Sequence, residues 1–229
     1  MLDYLYMKKI SVIIPVYNHV TILSQNVSKI ISVMNKCGCP YEIILINDGS
    51  TDGSDHVLSQ LNNGNIRCIT KKNQGLGSVI QLGFSLASGQ IIIILDLDLS
   101  YDIQNIYKVI GLANNWECVV CSKYADENNY PLHRKVLSYF NHLLCKFIFN
   151  ISVRDIGSGF VMLHKYLVQN ESFICNGFGF HCELFFILHK KKAKILELPV
   201  QYTHYPGTYR ILIHSLQTIK EIKSIMFKK

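Results

Sequence analysis

The sequence predicts a doubly wound α/β fold, a mostly parallel sheet flanked by helices, and three observations carry that expectation. Apolar β-branched runs alternate with stretches of helical period in the order strand, helix, strand, helix, strand, helix, strand. The run Ile91-Ile92-Ile93-Ile94-Leu95 shows no polar alternation, the pattern of a strand buried on both faces. Each run ends in a polar or glycine-bearing loop, so these loops gather along one edge of the sheet, where such folds place ligands.

Taken in order, Ile10 to Asn18 opens as a strand that Pro15 is expected to close, because proline cannot donate to a central ladder. Ile22, Leu23, Val27, Ile30, Ile31 and Met34 recur at helical spacing before the break at Cys37-Gly38-Cys39-Pro40. Tyr41 to Ile46 reads as a second strand, followed by the polar turn Asn47-Asp48-Gly49-Ser50-Thr51-Asp52-Gly53-Ser54 and a helix through Leu61. A third strand, Ile66 to Thr70, precedes Asn73-Gln74-Gly75-Leu76-Gly77 and a helix containing Gly83 and Ala87, which feeds the isoleucine strand. Trp116 to Cys121 reads as another strand. Its alternation sends Cys118 and Cys121 to opposite faces, so the pair belongs to the core rather than to a zinc site.

Composition narrows the function classes. Of 229 residues, 49% are hydrophobic and 17% charged, enough for a large core. A formal net charge of +7 favours an anionic partner: a nucleotide, a phosphorylated substrate or an acidic membrane surface. Zinc-finger spacing, an aromatic-rich RNA-binding signature and a long basic run are all missing, which argues against nucleic acid. Asp3, Lys8 and Lys9 interrupt any secretory signal, so reduced thiols and a cytoplasmic location are expected for the 8 cysteines. No apolar run approaches the roughly 20 residues of a membrane span.

Asp96 and Asp98 follow the isoleucine strand directly. If strand geometry persists, both carboxylates point to one face, where their repulsion calls for a cation. A hard divalent ion with oxygen ligands, left open for a diphosphate, satisfies that requirement. The spacing is equally consistent with two unrelated surface aspartates at a strand end. Gly75-Leu76-Gly77 fails as a dinucleotide fingerprint, because Ile80 stands where the third glycine belongs, and no Walker lysine follows.

Ile14-Pro15-Val16-Tyr17-Asn18, Asn47 to Ser54, Asn73 to Gly77 with Gly83, Ala87 and Gly89, and Asp96-Leu97-Asp98-Leu99-Ser100 resemble, in order and spacing, family 2 glycosyltransferases of the GT-A fold, a Rossmann-like nucleotide-diphospho-sugar transferase architecture. The resemblance is strongest to the dolichol-phosphate mannosyltransferase and polyprenyl-phosphate glycosyltransferase branch. It continues through Arg154-Asp155-Ile156-Gly157-Ser158-Gly159-Phe160, Gly177 to Leu184 and Glu197 to Val200. It implies a GT-A domain over residues 1–210, with residues 211–229 left as a basic amphipathic C-terminal helix.

Carried over by this resemblance, Pro15, Tyr17, Asn18, Asp48, Gly75, Asp96 and Arg210 would contact the nucleotide-sugar. Asp96 and Asp98 would hold Mg²⁺ or Mn²⁺, with Asp98 also counted in the catalytic set. His19 replaces a usual acidic residue, and Asn47 replaces the first aspartate of the paired acids. In His204 to Arg210, which resembles an R-x-x-G-x-S-K element, His204 and Tyr209 depart while Arg210 keeps the cation.

Inverting transfer displaces a nucleoside diphosphate in one in-line step, and the acceptor decides whether a base is needed. A phosphate monoester, with a second pKa of ~6, attacks as a dianion. A sugar hydroxyl needs a general base, for which Glu183 and then Asp155 are the candidates. Within the resembled branch, Arg134, Ser138 and Ser158 fall near a lipid-phosphate acceptor. Val136, Phe140, Leu143, Leu144, Phe147, Ile148 and Ile151 form a helical stripe that reads mostly as core-facing. In the tail, Leu212, Leu216, Ile219, Ile222 and Met226 fall on one side, with Lys220, Lys223, Lys228 and Lys229 available to water. Such a helix lies on an anionic bilayer or packs on the domain or a partner subunit.

The expected function is therefore transfer of a hexose from a GDP-mannose-type or UDP-glucose-type donor to a polyprenyl or dolichyl phosphate. The protein would sit peripherally at the cytosolic membrane face, alone or beside a membrane protein. The alternatives are transfer to a glycan hydroxyl in cell-surface polysaccharide synthesis, and a non-catalytic nucleotide-sugar-binding protein, which His19 and Asn47 would support.

Overall fold

The computed structural model describes residues 8–62, 64–124, 132–203 and 220–226. Among these, one sheet contains β1 (Ile10–Val16), β2 (Tyr41–Asn47), β3 (Ile66–Thr70), β4 (Ile91–Leu95), β5 (Cys118–Ser122), β6 (Phe160–His164) and β7 (Ile195–Pro199). Their spatial order is β3-β2-β1-β4-β6-β5-β7. Helices α1 (Val20–Lys36), α2 (Ser54–Leu61), α3 (Leu76–Leu86), α4 (Asn105–Leu112), α5 (Leu132–Phe149) and α6 (Phe180–Lys190) flank it. β1 runs parallel to both β2 and β4, β3 parallel to β2 and β7 parallel to β5, while β6 is antiparallel to its neighbours β4 and β5. The mostly parallel sheet read from the sequence is thus the sheet of the molecule.

Both faces are buried, as the unalternated isoleucine run requires. On β1, Ile10, Val12, Ile14 and Val16 face one core with Leu23, Val27 and Ile30 of α1 and Ile106 and Val109 of α4. Ile13 faces the other core, with Val79, Ile80 and Phe84 of α3 and Phe180, Leu184 and Phe185 of α6. Every residue of β4 is buried, at about 1.5–3 kcal/mol of transfer free energy per large apolar side chain. Cys118 and Cys121 divide between the two cores, as their spacing implies.

This topology fixes the site. The chain winds outward from β1 to β3, then crosses through α3 to β4 on the far side of β1. The carboxyl ends of β1 and β4 therefore flank the switch-point crevice. β5 is antiparallel to β6, which is antiparallel to β4, so the ends of β4 and β5 and the start of β6 share one edge.

Several sequence expectations are corrected. β1 runs past Pro15 to Val16, because its ladder with β4 stops at Ile13 and only β2 is paired beyond. β4 ends at Leu95, so Asp96 and Asp98 occupy a turn and not an extended strand. In that turn the Leu99 amide donates to the Asp96 carbonyl at 3.3 Å, and Leu99 has φ +53°. The α5 stripe is not core-facing throughout: Cys145 and Phe149 are buried, whereas Val136, Leu143 and Phe147 face outward together with Tyr139. In the tail, residues 220–226 are helical, and Ile222 and Ile225 are buried in the second core while Met226 is exposed. That part of the tail packs on the domain. No helix of the described residues is long and apolar enough to cross a membrane.

Candidate active site

Four loops at the carboxyl ends of β1 to β4 build the crevice. The first two are tied to each other. The Asn18 amide donates to Ser50 Oγ at 2.9 Å, and Asn18 Oδ1 accepts from the Thr51 amide at 2.8 Å. Asn18 sits at φ +55°, a left-handed conformation that asparagine tolerates. Asn47 Oδ1 accepts the Ser50 amide at 2.9 Å and its hydroxyl at 2.6 Å, a turn-forming role that needs no charge. Asp52 accepts the Val20 amide at the start of α1 and the Ser54 amide and hydroxyl at the start of α2, capping two helices. Pro15 is partly buried, and Tyr17 is 46% exposed at the rim.

Asp48 organises the loop after β3. Its Oδ1 accepts Lys71 Nζ at 3.1 Å and the Gln74 amide at 3.0 Å, and its Oδ2 accepts the Gly75 amide at 2.8 Å. A carboxylate has about four acceptor positions, so Asp48 retains capacity for one further N–H. Gly75 has φ +99°, and a Cβ there would meet the Asn176 carbonyl at 2.6 Å. Glycine is required on both counts.

The aspartate pair lies in the turn after β4, which runs parallel to β1 in the sheet. Asp98 Oδ1 accepts the Ser100 amide at 2.9 Å, which fixes its side chain on the turn. The Asp96 carboxyl is pushed up to about 7 by burial and by Asp98, with Lys123 acting in the opposite direction. A cation between the two would relieve both penalties. Among the described residues no group of three His, Cys, Asp or Glu side chains forms a metal cage. The donor set is two carboxylates, which suits a hard divalent ion whose other ligands are water and diphosphate oxygens. His19 lies close to Asp98 and Asp52: burial lowers its pKa, and those two charges oppose the shift.

Gly159 closes the other side of the pair. The Asp96 amide donates to the Gly159 carbonyl at 2.8 Å, and a Cβ on Gly159 would lie 1.9 Å from Asp96 Oδ2. The Asp155-to-Phe160 element is therefore the backstop of Asp96.

Two residues of that element are sealed inside the protein. Asp155 is fully buried: Oδ2 accepts the Tyr101 hydroxyl and the Lys123 amide, each at 2.9 Å, and Oδ1 pairs with Lys123 Nζ. Glu197 accepts the amides of Arg154 and Asp155 at 3.0 and 2.9 Å. Ser158, also fully buried, donates to the Cys121 carbonyl at 2.6 Å and accepts the Phe160 amide at 3.1 Å. Neither fits the base or acceptor-contact role expected of it, because their polar atoms are committed to internal partners. Beside them, His181 is driven down to about 4 by burial, with Asp155 opposing and Lys123 reinforcing, and its buried Nε2 has no hydrogen-bond partner among the described residues.

Glu183 is likewise not placed as a base. It is 1% exposed, and its two oxygens accept the Ile174 amide, each at 3.0 Å, while Oε2 also takes the Cys175 amide at 2.9 Å. The apolar frame seen in the sequence buries it completely, and backbone amides satisfy the charge. Arg134 and Ser138 lie on α5, with side chains outside the described residues, and Arg210 also lies outside them. The structure adds Lys71, Lys123, Tyr101 and Glu221 to the site and its supports. Of these, Lys123 was findable: it follows β5 directly at the ligand-bearing edge.

With this geometry in place, comparison with known proteins is informative. The model of "Glycosyl transferase family 2" matches residues 11–171. The chain belongs to glycosyl transferase family 2. This family 2 chain is 30% identical over 203 residues to the dolichol-phosphate mannosyltransferase of Pyrococcus furiosus, an alignment covering 85% of this chain and 56% of that protein. It thus spans little more than half the length of that relative. Among solved structures, mannosyl-3-phosphoglycerate synthase from Rubrobacter xylanophilus superposes with TM-score 0.79 at 13% identity, over 99% of this chain and 76% of that one. Glucosyl-3-phosphoglycerate synthase from Mycobacterium tuberculosis, in complex with Mn²⁺, UDP and glucosyl-3-phosphoglycerate, gives TM-score 0.75 at 17% identity, over 99% and 84%. The fold of this family 2 chain is the GT-A-like fold its motifs led one to expect.

Proposed function

We propose that this chain is an inverting, metal-dependent glycosyltransferase that moves a hexose from a nucleotide-diphospho-sugar to a polyprenyl or dolichyl phosphate. The observation that carries the choice of acceptor is the commitment of both candidate bases. Asp155 is consumed by Lys123 and Tyr101, and Glu183 by the amides of Ile174 and Cys175. An acceptor that reacts without surrendering a proton fits such a site. A phosphate monoester, largely dianionic at pH 7, is that acceptor.

The lipid part of the assignment draws on α5. Val136, Tyr139, Leu143 and Phe147 lie three and four residues apart and are 62, 55, 43 and 93% exposed, an apolar stripe of about 16 Å. With the net charge of +7, this face suits an anionic membrane surface carrying the acceptor. The relation to a dolichol-phosphate mannosyltransferase supports the same reading.

In the proposed reaction Tyr17 packs against the base, and Asp48 Oδ2 accepts a ring N–H. Pro15, Asn18 and Gly75 shape the wall of that pocket. Asp96 and Asp98 hold Mg²⁺ or Mn²⁺, which when bound supplies positive charge to the departing diphosphate. Arg134, Ser138 and Arg210 would contact phosphate groups. A phosphate oxygen of the acceptor forms a bond to the anomeric carbon as the bond to the diphosphate oxygen breaks, with inversion. Asp155 and Ser158 hold Gly159 against Asp96, so that its carboxylate keeps a fixed direction through the reaction.

The test is a donor panel (GDP-mannose, UDP-glucose and their epimers) incubated with Mn²⁺ and either polyprenyl phosphate in vesicles, oligosaccharides or 3-phosphoglycerate. Sugar recovered in the lipid phase is the expected result. Transfer confined to a soluble acceptor overturns the acceptor assignment, and nucleotide binding without any transfer favours a binding protein.

A further inference from the structure

Glu221 lies in the C-terminal helical segment, 44 residues from its partner Gly177 in sequence, yet its carboxylate is built into the loop before α6. One oxygen accepts the Gly177 amide at 2.7 Å and the other the Gly179 amide at 2.8 Å. α6 begins at Phe180, so the negative charge also sits at the positive end of that helix. Contact is tight: a Cβ on Gly179 would come within 2.7 Å of Glu221. Ile222 and Ile225, 3% and 1% exposed, seat the segment in the second core and fix where the carboxylate stands.

The opposite side of this loop bears on the nucleotide pocket. The Asn176 carbonyl accepts the Ser78 amide at 3.1 Å, and the Cys175 carbonyl accepts Gln81 Nε2 at 2.9 Å, which binds the loop to α3. That same Asn176 carbonyl is the atom a Cβ on Gly75 would strike at 2.6 Å, and the Gly75 amide donates to Asp48. A series of close approaches therefore runs from the Glu221 carboxylate through the backbone of Gly177 and Asn176 to Gly75 and the Asp48 carboxylate. Glu183 pins the upstream half of the loop at Ile174 and Cys175, leaving Glu221 to set the downstream half.

We infer that Glu221 is a positioning residue for the donor site: the C-terminal segment, through this carboxylate, holds the 174–179 loop against Gly75 and so orients Asp48 for the nucleotide. The inference rests on reading Asp48 and Gly75 as the nucleotide pocket. It gives the tail a role in donor affinity that membrane adsorption would not produce.

The experiment uses the full chain, its Glu221→Ala and Glu221→Gln variants, and two readouts. Calorimetric titration with GDP and with UDP, each with Mn²⁺, reads the pocket, and amide hydrogen exchange reads the loops. Glu221→Ala is expected to weaken the nucleotide that binds by roughly tenfold. It should also speed exchange at Gln74 and Gly75 as well as at Gly177 and Gly179. Glu221→Gln, which keeps one acceptor oxygen and the side-chain volume, should fall between the two and serves if the alanine variant does not fold. Wild-type affinity together with faster exchange confined to Gly177 and Gly179 overturns the inference, since a purely structural cap gives that result. If the unaltered chain binds neither nucleotide, the pocket reading itself fails, while exchange at Gln74 and Gly75 still reports whether the loops are coupled.

Discussion

Gly159→Ala isolates the aspartate pair from everything around it. The added methyl would stand 1.9 Å from Asp96 Oδ2 and 2.3 Å from its Cγ, and the three atoms nearest to it all belong to that one side chain. Carbon does not approach other atoms nearer than 3.0 Å, so the carboxylate must withdraw by about 1 Å or more. A misplacement of ~1 Å at a reacting centre costs about 100-fold in rate. The fold has little reason to fail, because Phe160 and the β4–β6 ladder from Leu95 onward are untouched. Three measurements should therefore separate. The melting temperature moves little, metal-free nucleotide binding survives, and Mn²⁺-stimulated transfer falls by about two orders of magnitude with a higher Mn²⁺ requirement. A Gly159→Ala enzyme with unchanged turnover and Mn²⁺ response would refute the argument that Asp96 is held in place by the missing side chain at position 159.

Three further outcomes are expected. Asp155→Ala removes the carboxylate of the buried pair with Lys123 and should cost about 3–5 kcal/mol in urea unfolding, whereas replacing both partners with apolar residues should recover much of it; a loss below about 1 kcal/mol would mean the pair is not sealed. His181 stays neutral in the fold down to about 4, while the unfolded chain takes up its proton near 6.5, so stability is lost as pH falls from 6.5 towards 4, by roughly 3 kcal/mol in full. His181→Gln should flatten that part of the pH–stability curve, and an unaltered slope would contradict the burial. Phe147→Glu, at a position 93% exposed, should leave the melting temperature unchanged while reducing sedimentation with anionic vesicles; equal sedimentation would remove α5 from the membrane-facing surface.

The layout of the fold was legible because its signals are local. Isoleucine runs without alternation mark strands buried on both faces, and loops at successive strand ends mark the ligand edge. The order of β5, β6 and β7 was not legible, since an antiparallel insertion depends on pairings between segments far apart in sequence. Within the site, residue types were readable but partners were not. Asp48, Asp52 and Asn47 sit in one short motif and look alike, yet one organises the β3 loop, one caps two helices and one forms a turn. Asp155 and Glu183 look like bases for the same reason. A carboxylate's chemistry is set by the donors that reach it, and here those come from Lys123, Tyr101 and the backbone of residues 174 and 175.

That redistribution changes what the site demands of its substrates. The Asp96 carboxyl is raised by burial and by Asp98, a charge arrangement that gains from a cation, and Lys123, which opposes the shift, is paired with Asp155. On the proposed reading, the aspartate pair would be neutralised by a metal ion and its diphosphate, while Asp155 and Glu183 are locked into structure. Such a division suits chemistry in which the leaving group needs help and the nucleophile does not. A lipid phosphate meets that condition with its own charge, and the apolar stripe of α5 offers a surface on which its chain could rest.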